Sequence, residues 1–104
     1  MAWIALFVSG ALEVVWSSAL KLSDGFTRMG WVAVMLPAMA AGFWLLALAM
    51  KSIELGTAYP VWVGVGAIGA FLVGALFLGE PVTPLRLVSV GLILAGIAGL
   101  KLAA

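Results

Sequence analysis

Four long apolar stretches, separated by short polar connectors, take up nearly the whole chain. They cover residues 3–20, 29–50, 57–78 and 87–100. Each approaches or exceeds the roughly 20 residues that an α-helix needs to cross a hydrocarbon core of about 30 Å. The connectors contain residues that end helices, Ser23-Asp24-Gly25 in the first and Pro81 and Pro84 in the third. The pattern predicts an all-α integral membrane protein, with residues 1–104 forming a single four-helix transmembrane domain.

Composition agrees with a membrane protein and argues against several classes of site. Hydrophobic residues make up 66% of the chain and charged residues 9%, and the mean hydropathy of +1.33 lies far outside the range of soluble proteins. The sequence has no Cys and no His, so we expect neither a disulfide nor a metal site, and no cofactor. No nucleophile and base pair is visible, so an enzyme is not expected. A net charge of +1 gives no electrostatic footprint for nucleic acid.

Glu13 is the single charged residue in the interior of the apolar stretches. It follows Trp3 by ten residues, which places it about 15 Å along a helix and near the bilayer midplane. A carboxylate there is costly, and intramembrane acids usually act as proton relays or cation sites. Glu13 is therefore the predicted binding residue for protons and for a small cation. Its presence, without a basic segment before it, also argues against a signal peptide.

The helical face around Glu13 does not have the composition of a lipid-facing surface. Residues three, four and seven positions away share that face: Leu6, Ser9, Gly10, Trp16, Ser17 and Leu20. Lipid-facing stripes are normally Leu, Ile, Val and Phe throughout, whereas this stripe is partly small, partly polar and partly aromatic. We expect it to face a cavity or a partner, with Trp16 contacting the substrate and Gly10 and Ser17 lining the cavity.

The third stretch carries a second unusual face, formed by Tyr59 and Trp62. A phenol hydroxyl and an indole N–H can donate hydrogen bonds to a carboxylate, and both ring faces attract a cation. These side chains suit the wall of a site for a small organic cation. The alternative is that both are interfacial aromatics near the start of the span, and their spacing does not separate the two interpretations.

Residues 64–69 match the dinucleotide fingerprint G-x-G-x-x-G by letter only. The fingerprint needs a strand before it and a soluble parallel sheet around it, and here it lies inside an apolar span. Gly64 and Gly66 are instead expected to make the helix flexible. Pro60 is expected in the first turn of a helix that begins near Thr57, where N–H groups lack intrahelical partners.

The last stretch has the composition of a helix that associates with another copy. Gly91, Ala95 and Gly99 recur every fourth residue, and Gly96 belongs to a second small stripe. Small residues let helices approach closely in lipid, where packing drives association. One four-helix bundle also has little room for both a water-accessible cavity and its walls. Two copies would supply the walls and bring two Glu13 carboxylates together.

The connector charges only weakly favour one orientation. Four spans put both termini on one side, so Lys51 and Lys101 lie on that side and Lys21, Arg28 and Arg86 lie on the other. Two cations against three is a weak signal under the positive-inside rule. The chain can therefore insert both ways, which permits an antiparallel dimer.

Several segments together resemble the small multidrug resistance transporters. They are Glu13-Val14-Val15-Trp16, Lys21-Leu22-Ser23-Asp24-Gly25-Phe26-Thr27-Arg28, Gly56-Thr57-Ala58-Tyr59-Pro60-Val61-Trp62 and Gly64-Val65-Gly66. The resemblance runs almost end to end and implies an antiparallel, dual-topology homodimer in the bacterial cytoplasmic membrane. It also implies a proton-coupled antiporter, in which Glu13 from each subunit would bind either protons or the exported cation, with Tyr59 and Trp62 lining the site.

Within that family the chain is most similar to the guanidinium-exporter subtype. The similarity lies in Trp16, in the Gly79-Glu80-Pro81 turn and in Lys101 near the C-terminus. The quaternary-ammonium subtype typically has a small residue in place of Trp16.

The chain departs from that subtype at two positions. Pro60 replaces the usual alanine, and Gly42 stands where guanidinium exporters usually have a serine that hydrogen-bonds the central glutamate. Losing that hydroxyl is expected to remove a polar partner of the carboxylate and to leave space in a cavity lined by Gly42 and Phe43. A hydroxyl from Ser9, Ser17 or another helix would be the possible replacement.

Protons and the cation are expected to compete for Glu13. Burial disfavours the ionised carboxylate, and two carboxylates facing one cavity disfavour double ionisation. Guanidinium is planar with forked donors, so one carboxylate can accept two of its hydrogen bonds. The predicted function is therefore proton-coupled export of guanidinium or small guanidinyl cations.

Three alternatives stay open from the sequence. The protein could be a quaternary-ammonium or multidrug cation exporter of the same family, an alternative suggested by Gly42. It could be one half of a paired heterodimer. It could also be a small membrane subunit without transport activity, which would tolerate Glu13→Ala.

Overall fold

The protein consists of four long helices joined by short connectors, in a computed structural model that describes residues 1–103. The helices are α1 (Ala2–Leu22), α2 (Met29–Ala49), α3 (Leu55–Phe77) and α4 (Pro84–Ala103). Each has between 20 and 23 residues and is apolar enough to cross a membrane. Residues 1–103 contain no strand, so the predicted all-α fold with four membrane helices is confirmed. Ala104, the last residue of the predicted domain, lies outside the described residues.

The fourth helix begins earlier than the apolar pattern predicted. Pro84 is its first residue and Arg86 lies in its first turn, so the assignment of both to the third connector is wrong. Proline is tolerated at a helix start because the first N–H groups have no intrahelical partner. The hydroxyl of Thr83 caps this end by accepting a hydrogen bond from the Arg86 backbone N–H at 3.2 Å.

The third helix also begins before the predicted Thr57. Glu54 precedes it with extended backbone, and the Glu54 carbonyl accepts hydrogen bonds from the N–H groups of Thr57 and Ala58 at 3.1 and 2.8 Å. Pro60 is the sixth residue of α3 and lies beyond the first turn, so its predicted position in that turn is wrong. Because proline has no N–H, the carbonyl of Gly56 loses its helical partner.

The first helix is central in the bundle. It packs along both α2 and α3, whereas α2 and α3 have little mutual contact and α4 packs mainly against α3. A cluster of buried apolar side chains joins the first three helices near the start of α1: Leu6, Leu46, Ala49, Ile53, Ala58, Val61 and Trp62. This cluster holds α2 and α3 against α1, so side chains of α1 face two neighbouring helices.

Reciprocal glycine contacts bring α1 and α3 close together. Gly10 of α1 lies against Val65, and a Cβ at Gly10 would sit 2.6 Å from the Val65 Cγ1 atom. Gly69 of α3 lies against Val14 in the same manner, and a Cβ there would overlap the valine side chain. Small residues permit such close helix approach in membranes. Gly10 and Val14 therefore lie directly on α3.

The first connector is the tight turn predicted from Ser23-Asp24-Gly25. Its three residues 24–26 all have positive φ, at 50°, 68° and 68°. The buried Ser23 hydroxyl donates a hydrogen bond to the Leu20 carbonyl at 2.7 Å and accepts one from the Phe26 N–H at 3.2 Å. These bonds stabilise the turn that returns the chain along α1.

Candidate functional site

Glu13 lies at the middle of α1, and its carboxylate packs on the backbone of α3 at Gly66. It is the twelfth of 21 residues in the helix, about 17 Å from the helix start. A Cβ at Gly66 would overlap the carboxylate carbon and oxygens of Glu13. Gly66 therefore provides the space that the Glu13 carboxylate occupies.

Three polar atoms of the predicted site are buried without a hydrogen-bond partner among residues 1–103. They are Oε2 of Glu13, Nε1 of Trp16 and Nε1 of Trp62. Buried polar groups in folded proteins are nearly always paired, so unpaired ones need an explanation such as a functional role. A carboxylate oxygen accepts hydrogen bonds and an indole N–H donates them, so these three buried atoms are one free acceptor and two free donors.

Four aromatic rings from three helices form a continuous wall, which we call the aromatic wall. It consists of Trp16 on α1, Phe43 on α2, and Tyr59 and Trp62 on α3. The ring centroids of Trp16 and Phe43 are 6.4 Å apart, those of Phe43 and Trp62 are 5.8 Å apart, and those of Tyr59 and Trp62 are also 5.8 Å apart. Ring faces attract cations within about 6 Å of the centroid. The three predicted substrate-contacting aromatics thus belong to one surface, and Phe43 connects them.

Burial differs between the two residues that α3 contributes to the aromatic wall. Trp62 is only 6% exposed and belongs to the core cluster, whereas Tyr59 is 50% exposed. An interfacial anchor would place its ring at the headgroup level, and the buried Trp62 ring does not fit that alternative. The half-exposed rings of Tyr59 and Phe43 leave one side of the aromatic wall open.

Neither Ser9 nor Ser17, which share the face of Glu13 on α1, replaces the serine hydroxyl that position 42 was expected to lack. Gly42 is buried against α1, where a Cβ would lie 3.5 Å from the Leu12 Cβ and 3.6 Å from the Ser9 carbonyl oxygen. The Ser9 hydroxyl donates to the Leu6 carbonyl at 2.7 Å and the Ser17 hydroxyl to the Val14 carbonyl at 3.2 Å. Both hydroxyls are used by their own helix, so neither supports Glu13. The space left at Gly42 is enough for a small side chain.

A comparison with known protein families matches this chain to the one described as Small Multidrug Resistance protein, over residues 1–93. The chain belongs to the small multidrug resistance family. The match covers α1, α2 and α3 completely and extends into α4. The resemblance expected from the sequence motifs is thereby confirmed.

Curated relatives match this small multidrug resistance protein along its whole length. A guanidinium exporter of Yersinia pseudotuberculosis serotype I (strain IP32953) is 54% identical over 103 residues, covering 99% of each chain. A guanidinium exporter of Salmonella typhimurium (strain LT2) is 50% identical over 104 residues, covering 100% of this chain and 99% of the relative. One from Citrobacter freundii is 50% identical over 102 residues, covering 98% and 97%. With four membrane-spanning helices and bacterial relatives, the protein is a multi-pass protein of the bacterial cytoplasmic membrane.

Several other residues predicted from the sequence of this small multidrug resistance protein either contact a neighbouring helix or are exposed. Gly10, which lies one helical turn before Glu13, contacts Val65 of α3. A Cβ at Gly64 would lie 2.9 Å from the Ile97 Cδ1 atom of α4, so Gly64 faces α4 while Gly66 faces α1. The small residues of α4 are all exposed: Gly91, Ala95, Gly96 and Gly99.

Sequence reasoning placed Glu80 in the Gly79-Glu80-Pro81 turn, a point of similarity to the guanidinium-exporter subtype, but missed the environment of its side chain. The Glu80 side chain folds back onto α3, where a Cβ at Gly74 would overlap its carboxylate. It lines a cavity of about 190 Å³ together with Ser17, Ser18, Lys21, Ala70, Val73, Gly74 and Leu78. The sequence held one signal for this cavity: Glu13, Ser17 and Lys21 are spaced four residues apart and therefore share one face of α1. The backward fold of Glu80 depends on the turn after α3, which no periodicity predicts.

Proposed function

We propose that this small multidrug resistance protein exports guanidinium or small guanidinyl cations in exchange for protons. The observation that carries the proposal is the Glu13 carboxylate in the middle of α1, with its Oε2 atom buried and unpaired beside an aromatic wall. The names of the curated relatives agree with it, since they are called guanidinium exporters.

The chemistry of the site suits a guanidinyl cation. A planar guanidinium can give two hydrogen bonds to the two oxygens of Glu13, which is the strong bidentate arrangement. The rings of Trp16 and Trp62 offer faces for the positive charge. Guanidinium has no acceptor, so the two indole N–H groups cannot bind it by hydrogen bonds. They are donors for a carboxylate, and would hold Glu13 of the same or of a second subunit in position.

Exchange follows from the fact that an isolated charge in the membrane interior is unfavourable. An ionised Glu13 without a partner is costly there, and either a proton or the cation removes most of that cost. The two ligands therefore compete for one carboxylate. Release of the cation on one side is favoured by protonation, and release of the proton is favoured by binding of the next cation.

An antiparallel homodimer is the proposed working form. In one subunit Tyr59 and Phe43 are half exposed beside the buried site, and α4 has no buried residue. A second copy would cover the open side of the aromatic wall and bring its own Glu13 to the cavity. The small residues of α4 permit close packing with that copy, and the nearly even cation count of the two faces permits insertion in both orientations.

The test is the transport activity of Glu13→Gln protein in liposomes. We expect no guanidinium-driven proton flux, because the amide keeps the shape of the side chain but can take up neither a proton nor the cation as a counter-charge. Glu54→Gln is the matched control, since Glu54 lies before α3 at the end of a span and should retain full transport. Proton-coupled guanidinium uptake by the Glu13→Gln protein would contradict the proposal.

A second candidate is export of quaternary ammonium or other multidrug cations. Gly42 favours it, because the carboxylate then lacks the serine partner that guanidinium exporters usually have, although the space freed at Gly42 is only that of one small side chain. A quaternary ammonium has no hydrogen-bond donor and would depend on the aromatic wall instead of the carboxylate fork. Comparing proton flux driven by guanidinium with that driven by a bulky aromatic ammonium separates the two: a larger flux with the ammonium would favour this candidate.

A further inference from the structure

The carboxylate of Glu80 is held over the surface of α3. The Glu80 N–H donates a hydrogen bond to the Gly74 carbonyl at 3.0 Å, and the Leu78 N–H donates to the same carbonyl at 3.3 Å. Gly79 between them has a φ of +68°, which reverses the chain. The Glu80 side chain consequently lies against Gly74, where a Cβ would overlap it. Two carboxylates of this protein, Glu13 and Glu80, thus pack onto glycines of the same helix.

Glu80 stands where an outer cavity continues into a narrower groove between α1 and α3. The outer cavity, of about 490 Å³, lies at the connectors and is lined by charged side chains of both signs, among them Asp24 and Arg28. The groove, of about 190 Å³, reaches inward to Ser17. Lys21, Leu78 and Glu80 line both cavities, so they form the boundary between them.

The groove leads toward the proposed cation site. Ser17 lies one helical turn from Glu13 along α1, on the same face. On the opposite wall Gly66, Ala70 and Gly74 follow each other at intervals of four residues along α3. Gly66 contacts the Glu13 carboxylate and Gly74 contacts the Glu80 carboxylate. The separation of eight positions between Gly66 and Gly74 corresponds to about 12 Å along the helix axis.

We propose that the Glu80 carboxylate is a transient binding site for the organic cation on its way between the membrane surface and Glu13. This step rests on the function proposed above. Glu80 is exposed and lines both cavities, so a cation that enters the groove passes its carboxylate and is attracted by the negative charge. The groove ends at the small residues Ser17 and Ala70, and beyond them Val14 packs on Gly69, so the last step to Glu13 requires α1 and α3 to separate slightly. Lys21 opposes this attraction, because its ammonium group lines the same boundary.

Three variants separate the charge of Glu80 from its position. Glu80→Gln removes the charge and keeps the shape of the side chain. Gly74→Ala keeps the charge but places a methyl group where the carboxylate lies, so the flexible end of Glu80 must move away. Lys21→Gln removes the opposing charge. Glu54→Gln serves as the control for loss of a carboxylate elsewhere at a span end.

The experiment measures guanidinium transport in proteoliposomes and equilibrium binding by tryptophan fluorescence in detergent. We expect Glu80→Gln and Gly74→Ala to raise the KM about threefold to fivefold, with unchanged maximal rate and unchanged Kd at Glu13. Lys21→Gln should lower the KM. The KM of the unmodified protein should rise with ionic strength more steeply than that of Glu80→Gln, because salt screens the attraction.

Two results would overturn the inference while leaving the proposed function intact. One is an unmodified protein that transports guanidinium, a Glu13→Gln protein that does not, and Glu80→Gln with an unaltered KM. The other is a rise in KM for Lys21→Gln equal to that for Glu80→Gln, which would indicate an ion pair that only stabilises the connector. If the unmodified protein fails to transport guanidinium, the proposed function itself is wrong.

Discussion

Glycines occur both where α1 packs on α3 and along the outer helix α4, but their surroundings differ. At Gly10, Gly66 and Gly69, a side chain of the opposite helix occupies the space where a Cβ would lie. The glycines of α4 have open space instead, since a Cβ at Gly91, Gly96 or Gly99 would meet no atom within 4 Å. Glycine in a membrane helix therefore has two uses in this protein. It accommodates a neighbour within the subunit, or it remains available for a neighbour outside it.

The largest expected effect is that of Gly66→Ala on transport. The new methyl group would overlap the Glu13 carboxylate and displace it from α3, while the rest of the bundle needs no change. We expect the transport rate to fall by about tenfold to 100-fold, because displacement of a binding group by about 1 Å is already costly. The measurement is guanidinium-driven proton flux in liposomes.

Gly64→Ala is the matched control for that variant. Gly64 lies two residues away on the same helix and faces α4 instead of α1. Equal transport by the Gly66→Ala and unmodified proteins would show that the α1–α3 contact does not position Glu13.

A smaller effect, on association of subunits, is expected when two exposed glycines of α4 are replaced by leucine. Gly91→Leu together with Gly99→Leu should leave the single subunit intact, because nothing lies within 4 Å of either position. If another copy packs there, the dimer dissociation constant should rise about tenfold, which corresponds to about 1.4 kcal/mol. Energy transfer between labelled subunits at increasing lipid dilution measures it.

Gly30→Leu is the control for association, since Gly30 is equally open but lies at the start of α2. An unchanged dissociation constant in the α4 variant would mean that α4 is not the helix through which subunits associate.

The smallest effect is expected for the stability of Gly64→Ala. A Cβ at Gly64 would come within 2.9 Å of Ile97 Cδ1, which is the far end of a flexible side chain and can move. The free energy of unfolding should fall by about 1 kcal/mol or less. Reversible denaturation in detergent measures this, with Gly56→Ala as reference because Gly56 has open space around it. If Gly64→Ala lowered the free energy of unfolding as much as Gly69→Ala does, the α4-facing and α1-facing glycines of α3 would not differ as expected.

The local environment of Glu13 illustrates how far sequence reasoning extends. Its position near the middle of α1 could be predicted by counting residues along the helix, and the face that it shares with Trp16 by helical spacing. The contact with Gly66 could not be predicted, because spacing within one helix does not specify which residue of another helix lies opposite. For the same reason Gly64 and Gly66 received a single prediction, although one faces α4 and the other faces α1.

The starts of α3 and α4 show a different limit. The apolar pattern placed the starts of α3 and α4 at Thr57 and Leu87, whereas the helices begin at Leu55 and Pro84. Helix ends depend on backbone hydrogen bonds, such as those accepted by the Glu54 carbonyl and the Thr83 hydroxyl. Hydropathy carries no information about such bonds.

The sequence by itself determined the class of the protein, its four helices and the cost of a charge at Glu13 inside an apolar span, because hydropathy and helical period act along one chain. The motifs that resemble the small multidrug resistance family were also visible without coordinates. Only the tertiary structure decided which side chains meet across helices. Tertiary contacts unite Trp16, Phe43, Trp62 and Tyr59 into one wall and leave three buried polar atoms unpaired. They also bring Glu80 onto α3, since side-chain positions between helices depend on how the backbones pack.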